Sequence, residues 1–435
     1  MKKYDLVIQN GNVVTDHISK MSIGVKNGVI RYLSETPIPV DESESLIDAT
    51  GLTVLPGLID SHVHFNEPGR TEWEGFETGS KSLAAGGVTT FFDMPLNSDP
   101  PTVTKEAFFQ KQELATRNSI INCELWGGLV PNNLQQLKDL TECGVIGFKA
   151  FMSDSGINEF EACNDQSLLL GMKEISEIGG ILAVHAESQS ITNFLATIFE
   201  QNHKITAHEF SELRPITSEI EAVQKMISFA KITGCRLHIV HVSSRKVSAL
   251  IETAKKEGVD ITVETCPHYL SLTIDDLETL GAIAKCAPPL RSSEEVESLW
   301  EAIQNDEIDM IGSDHSPSTP DMKHGDLLQA WGGISGAQTT LQVLLHEGCY
   351  KRNVSLEKIV QLTSTNPAKR FNLYPQKGLI SLGSDADLTI IDPSYSFCLK
   401  REDLYYKHKQ SPFIGRELKG KIHYTLVGGA IVYQQ

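Results

Sequence analysis

LPGLIDSHVHFNEPG, residues 55–69, is a short apolar run that closes on two histidines one residue apart. Leu55–Ser61 reads as a β-strand. Alternate residues of extended chain point the same way, so His62 and His64 can reach one point. The theme of an apolar run, a polar loop and then helical spacing recurs along the chain, with candidate strands at Thr89–Met94, Cys123–Leu129, Val145–Phe151, Ile181–Ala186, Leu237–Val242, Ile261–Thr265 and Ile308–Ser313. Between them, stretches such as Thr217–Thr233 and Ser292–Asn305 place apolar residues at helical intervals among Glu and Lys. Near-continuous apolar strands alternating with helices mark parallel strands buried on both faces. Eight such units over roughly 250 residues is the arithmetic of an α/β fold of the (β/α)8 TIM-like barrel type. The rival is an open doubly wound sheet, but no strand is followed by a phosphate-cradling GxGxxG or GxxxxGK[ST] loop.

The two ends read differently. Residues 1–54 form short alternating strands with turn signals at Gly11, Gly24, Asn27–Gly28 and Gly51, and KGLISLGSDADLTIIDP and KIHYTLVGGAIVY do the same after residue 377. Neither end alone is long enough for a comfortable core. The expectation is a small β-sandwich built from both termini, residues 1–54 plus 370–435, with the barrel of 55–369 inserted between them.

Composition narrows the class. The 435 residues carry 38 basic and 56 acidic side chains, a net charge of −18, and 40% are hydrophobic. That is ample for a core, and the acidic excess opposes nucleic acid and anionic membrane as partners. No apolar run approaches the roughly 20 residues that a membrane-spanning helix needs. The start, MKKYDLVIQNGNVV, alternates like a strand rather than a signal peptide. Eight scattered cysteines without a CxxC pair fit a reducing compartment, so a cytoplasmic location is expected.

Alone, HxH is a weak signal; its weight comes from the other strands. Lys149 lies in VIGFKAFM, His185 ends ILAVH, His241 ends LHIVH, and Asp314 ends MIGSD. These polar side chains sit at or near the C-terminal ends of five barrel strands, the face on which such barrels build active sites. Four imidazoles and a carboxylate suit a borderline divalent metal such as zinc. An ammonium would be repelled there. A buried lysine can instead shed its proton and add carbon dioxide, and the carbamate so formed has two oxygens able to bridge two metals.

With these residues in view, the chain resembles the amidohydrolase superfamily, in its cyclic-amidase branch of dihydroorotases, hydantoinases and allantoinases. The likeness runs through LPGLIDSHVHFNEPG, GVTTFFDMP, GFKAF, VHAE, HVSS, ETCPHY, SDHSP and the late GSDADL. It implies a binuclear site. His62, His64, the Lys149 carbamate and Asp314 would hold one divalent ion, and the same carbamate with His185 and His241 the other, zinc being expected ahead of cobalt, manganese or iron. Asp314 would double as proton shuttle. It also implies a small cyclic amide as substrate and a homo-oligomer, a tetramer by family likeness.

Substrate choice must come from other positions. Dihydroorotases of this type carry Arg two residues after the second histidine to clamp a carboxylate, where this chain has Asn66, and their DMPN is here interrupted by Leu96. EPGRTEWEGFETG, DMPLNS, KCAPPLR, SDHSPSTPDMK and AWGGISG are similar to the allantoinases, which open the neutral ring of allantoin to allantoate. Asn66, Asn97 and Ser316 are the expected amide-recognition groups. A hydantoinase, dihydropyrimidinase or dihydroorotase is the nearest alternative, and a non-catalytic assembly protein a more distant one. Trp331-Gly332-Gly333 reads either as pocket wall or as a turn opening a helix, Cys266 and Cys286 as buried small residues, His268 as a pocket neighbour, and Asp387 as a turn-fixing residue. His203, His208 and His408 carry no signal.

Overall fold

A computed structural model describes residues 2–199 and 205–435, so His203 lies outside the described residues. Five strands come first: β1 (Tyr4–Val14), β2 (Ile18–Lys26), β3 (Val29–Ser34), β4 (Ser43–Asp48) and β5 (Thr53–Pro56). The barrel strands follow as β6 (Leu58–Val63), β7 (Val88–Asp93), β8 (Asn122–Leu125), β9 (Gly127–Gly128), β10 (Phe148–Phe151), β11 (Ile181–His185), β12 (Arg236–Ile239), β13 (Ile261–Thr265) and β14 (Met310–Ile311). The chain ends in β15 (Leu388–Cys398), β16 (Glu417–Val427) and β17 (Ala430–Gln434).

The terminal strands hydrogen-bond in the order β17-β16-β15-β5-β1-β2-β3, with β4 also on β1. β1 serves two leaves. Its first half pairs with β4 (Leu6 with Ser45) and its second with β5 (Asn12 with Thr53). Between them the register shifts, with Asn10 left-handed at φ +65°. Such a bulge bends a strand and re-aims its faces. Alternation then does the packing. Leu6 and Ile8 point into a core with Ile23, Val25, Val54, Leu388, Ile390 and Leu426, whereas Val7 faces Tyr4 and Ile38 on the other side. Residues from both ends of the chain thus fill one β-sandwich core.

The barrel strands are parallel throughout, from β6 through β8 and from β9 through β14. β8 and β9 are two pieces of one stave, parted at Trp126, whose indole donates to the Ser61 carbonyl at 3.1 Å. Val63 bridges His315, and the His64 amide donates to the His315 carbonyl at 2.8 Å, which closes the eighth stave on the first. The fold is a (β/α)8 barrel carrying a sandwich formed by both termini. No helix among the described residues is long and apolar enough to cross a membrane.

Leu55–Ser61, read above as one strand, is two. Leu55 and Pro56 belong to β5, where Leu55 pairs with Thr389, and the barrel begins at Leu58. The break is Gly57, whose amide donates to the Asp387 carbonyl at 2.8 Å. A Cβ there would lie 2.1 Å from Thr89 Oγ1, so only glycine passes. The sixth and eighth strands are also shorter than their apolar runs, because the chain turns out of the ladder before its polar residues; His241 and Asp314 stand at φ +41° and +46°.

Polar ties join sandwich and barrel. Thr389 and Thr425 hydroxyls donate to the Gly87 and Ala84 carbonyls, both at 2.6 Å. Asp387 takes the Gly428 amide at 2.8 Å, Lys377 Nζ at 2.5 Å and Asn122 Nδ2 at 2.9 Å, so it fixes a sandwich turn and reaches β8 as well. Because Thr89 cannot retreat from a side chain at position 57, Gly57→Ala should destabilise the protein by about 1–3 kcal/mol, an overpacking cost. The reading is a lower urea midpoint with an unchanged slope.

Candidate metal centre

The barrel mouth gathers the six residues singled out above. His62 and His64 leave the end of β6, Lys149 lies within β10, His185 closes β11, and His241 and Asp314 follow β12 and β14. His62 Nε2 stands 3.2 Å and His64 Nε2 3.4 Å from the same atom, Asp314 Oδ1. Ligating atoms of these three residues all lie within 4.8 Å of one another, close enough to share one ion. Beside them His185 Nδ1 faces His241 Nε2 at 3.0 Å, and the His62 and His241 ring centres are 5.5 Å apart. Lys149 is fully buried, and its Nζ has no hydrogen-bond partner.

Electrostatics put each group in the form a cation needs. Burial pulls the imidazoles of His64, His185 and His241 below the ordinary histidine value, which favours the neutral form that a metal ligand requires. Burial works to raise Asp314, but His62 and His64 outweigh it and hold the carboxyl at about 2. Burial alone carries Lys149 down from the ordinary lysine value to about 7, against the pull of Asp314 and Glu264.

A further layer fixes the rings. Glu264, buried in β13, takes His62 Nδ1 at 2.9 Å and the Ser61 hydroxyl at 2.6 Å. Burial raises its pKa, yet His238 and His62 more than reverse this and keep it ionised. Glu187 accepts from His185 Nε2 at 2.8 Å and from Arg214; burial is again overcome, by Arg214 and His185, to about 2. The His185 ring lies flat on Phe151, centroids 4.6 Å apart at 8°. Asp93 anchors the loop after His64 by accepting the Phe65 amide at 2.8 Å and Lys111 Nζ at 2.6 Å. Such partners fix ring orientation and tautomer. None of Glu264, Glu187, Arg214 or Lys111 was singled out from sequence. A lone acid inside the apolar strand ITVET, and an acid two residues after His185 in VHAE, were the available signals.

The cluster opens into a cavity of about 440 Å³. Asn97 and Ser316 lie on its wall, as do Trp331-Gly332-Gly333 and Cys286. Asn66, expected to touch substrate, is not part of that wall. It is fully buried and left-handed at φ +64°, and donates from Nδ2 to the Pro317 carbonyl at 3.4 Å. The turn after His64 directs it under the Ser316 loop instead of into the opening. His268 is buried off the wall, burial lowering it to about 4, and Cys266 is fully buried. His208 is exposed opposite Asp275, and His408 meets the Glu72 carbonyl at 2.7 Å.

Comparison with known proteins adds to this geometry. The amidohydrolase family profile matches residues 53–432. The allantoinase of Deinococcus radiodurans is 47% identical over 99% of this chain and 95% of its own. That of Rubrobacter xylanophilus is 45% identical over 100% and 95%. Among solved structures, the L-hydantoinase (dihydropyrimidinase) from Arthrobacter aurescens superposes with a TM-score of 0.96 at 36% identity, covering 99% of this chain and 96% of that one.

The buried lysine has a measurable consequence in metal-free protein. Its folded pKa of about 7 lies below the unfolded value of 10.5, so between those pH values the unfolded chain binds more protons and stability rises with pH. Each unit is worth about 1.4 kcal/mol. In chelator-treated protein, Lys149→Met should therefore be more stable than the parent at pH 7, and the gap should close toward pH 10. Urea unfolding of both proteins across that range checks it.

Proposed function

This chain belongs to the amidohydrolase family and is a hydrolase of cyclic amides, and from that premise we propose that the ring it opens is the hydantoin of allantoin, yielding allantoate. The observation that carries this reading is the 45–47% identity, over essentially the full length, to proteins that are allantoinases. The solved hydantoinases are more distant in sequence, at 26–36%, and favour hydantoin or dihydropyrimidine opening as the second reading.

The cluster of His62, His64 and Asp314 fits a divalent ion. The opposed nitrogens of His185 and His241 would suit a second, and the orphaned Lys149 amine, carboxylated by carbon dioxide, would add an anionic oxygen ligand. Zinc suits this nitrogen and oxygen set, as do cobalt, manganese and iron. When bound, such ions polarise an amide carbonyl and make water reactive near neutral pH. The residues supply the rest. Asp314, ionised and at the cavity wall, takes the proton of the attacking water and returns it to the ring nitrogen as the C–N bond breaks. The water oxygen stays on carbon, and its second proton is released to solvent as the new carboxyl ionises to the carboxylate of the product. Asn97 and Ser316 offer neutral donors and acceptors to the ring amides. Asn66 stands where a dihydroorotase clamp carries a cation, and it supplies none. The eight unpaired cysteines support a cytoplasmic setting, and the tetramer expected from family likeness is read by light scattering.

Purified protein should open allantoin faster than hydantoin, dihydrouracil or dihydroorotate; faster opening of any of the others reassigns the substrate. Elemental analysis should find close to two divalent ions per chain after expression with bicarbonate, and a single ion at full activity excludes the paired site. Asp314→Asn should lose about 10²–10⁴-fold in kcat, the usual effect of removing a general acid–base. Metal content is measured in the same sample, so that loss of the ions is told apart from loss of the proton carrier.

A further inference from the structure

One cation on the cavity wall has no role in the chemistry above. Lys285 stands in KCAPPLR, next to Cys286, and lines the cavity together with Phe210, Leu328 and Trp331. It is 8% exposed, and its Nζ lies 5.2 Å over the Phe210 ring. The other cation of the wall, Arg214, is neutralised by Glu187. Lys285 has no carboxylate within 4 Å among the described residues. Its ammonium donates to the Ala330 carbonyl at 2.5 Å, and the Leu328 carbonyl is at the limit of reach, 3.5 Å. An ammonium has three donors, so at least one is left for a bound molecule.

The surrounding loop is built to stay put. Gly333 donates to the Lys285 carbonyl at 2.7 Å. A Cβ on Gly333 would lie 2.3 Å from the Ser316 carbonyl, and its φ is +138°. A second buried lysine, Lys323, donates to the Gly333 carbonyl at 2.5 Å and to the Trp331 carbonyl at 3.0 Å. The segment 328–334 is thus pinned between Ser316 and Lys285, which fixes the Lys285 head at the wall. Its present partners are the Ala330 and Leu328 carbonyl oxygens, and a carbonyl oxygen of a bound molecule would extend the same set.

We infer that Lys285 is a specificity-determining contact for the exocyclic ureido arm of the substrate, its ammonium donating to the arm's carbonyl oxygen. This rests on the allantoin reading above. A ring without the arm has nothing to offer this donor, so the contact separates allantoin from plain hydantoins that share the same scissile amide. A buried donor made for a substrate acceptor discriminates by leaving a polar group unpaired when the wrong ligand binds.

The test compares Lys285→Met and Lys285→Arg with the parent on three substrates: allantoin, hydantoin, and 5-carboxymethylhydantoin, whose arm is anionic. Where hydantoin turns over slowly, its competitive inhibition constant against allantoin replaces kcat/KM. Lys285→Met should lower kcat/KM for allantoin by about 10–100-fold, mainly through KM, while the hydantoin value moves less than about 3-fold. Lys285→Arg should restore part of the loss. Equal losses on allantoin and hydantoin would mean that Lys285 only holds the 328–334 loop, and no loss on allantoin would mean no contact; either overturns the inference. Parent enzyme that prefers the carboxymethyl ring would show the wall to be an anion site, which also overturns it. Failure of the allantoin reading itself is seen in the parent before any variant is made, as absence of allantoin opening.

Discussion

The bond from His62 to Glu264 is the interaction on which the centre depends. Glu264 is fully buried within a parallel barrel, where an ionised carboxylate survives only if its partners offset its desolvation. Those partners come from different staves: the His62 ring and Ser61 hydroxyl from β6, and His238 of β12 at 3.6 Å. By taking Nδ1 of His62, Glu264 leaves Nε2 to turn toward Asp314. It also ties the first stave to the seventh across the barrel. Gly312, two residues before Asp314, shares in the arrangement, since a Cβ there would stand 2.6 Å from Glu264 Oε2. One acid therefore sets the ring, the spacing of the staves and the approach of the carboxylate.

The same logic governs the other half of the centre with different means. His185 is clamped on three sides, by Glu187 through Nε2, by the flat face of Phe151, and by His241 opposite Nδ1. Arg214 in turn fixes Glu187, and Arg291 donates to the Arg214 carbonyl at 2.8 Å and pairs with buried Glu219 at 2.9 Å. The strained backbone at His241 and Asp314 belongs to this picture. Left-handed conformations cost on the order of 1–3 kcal/mol each in residues other than glycine. They persist because the surrounding bonds overdetermine them, and they place both side chains off the strand line and into the mouth.

The architecture was legible in sequence because strand ends, periodicity and ligand chemistry coincide there. His62, His64, Lys149, His185, His241 and Asp314 each follow or sit in an apolar run, and a parallel barrel carries every such run to one rim. What stayed hidden was set by contacts distant in sequence. Glu264 reads as an ordinary charged residue until His62 is seen against it. Gly57 looks like one more glycine until Thr89 and Asp387 surround it, so two strands read as one. Asn66 follows the HxH pair closely, and only its burial against the Pro317 carbonyl, distant in sequence, sets it off the cavity wall. Lys285 and Lys323 stand inside KCAPPLR and SDHSPSTPDMK, yet nothing in those stretches tells that they are buried, because their partners are backbone carbonyls.

The junction at Gly57 also bears on how the chain comes to be folded. β5 leads directly into the first barrel stave, yet its ladder partner, β15, lies at the far end of the chain, with Leu55 against Thr389. On the ribosome the barrel emerges stave by stave while that edge of β5 waits without a mate. Closing so long a loop costs entropy and slows the step that must wait for it. The nascent molecule accordingly carries an unpaired strand edge, a site open to wrong pairing with another chain, until β15 has been made. Arrival of β15, rather than formation of the barrel, is what gives that edge its mate.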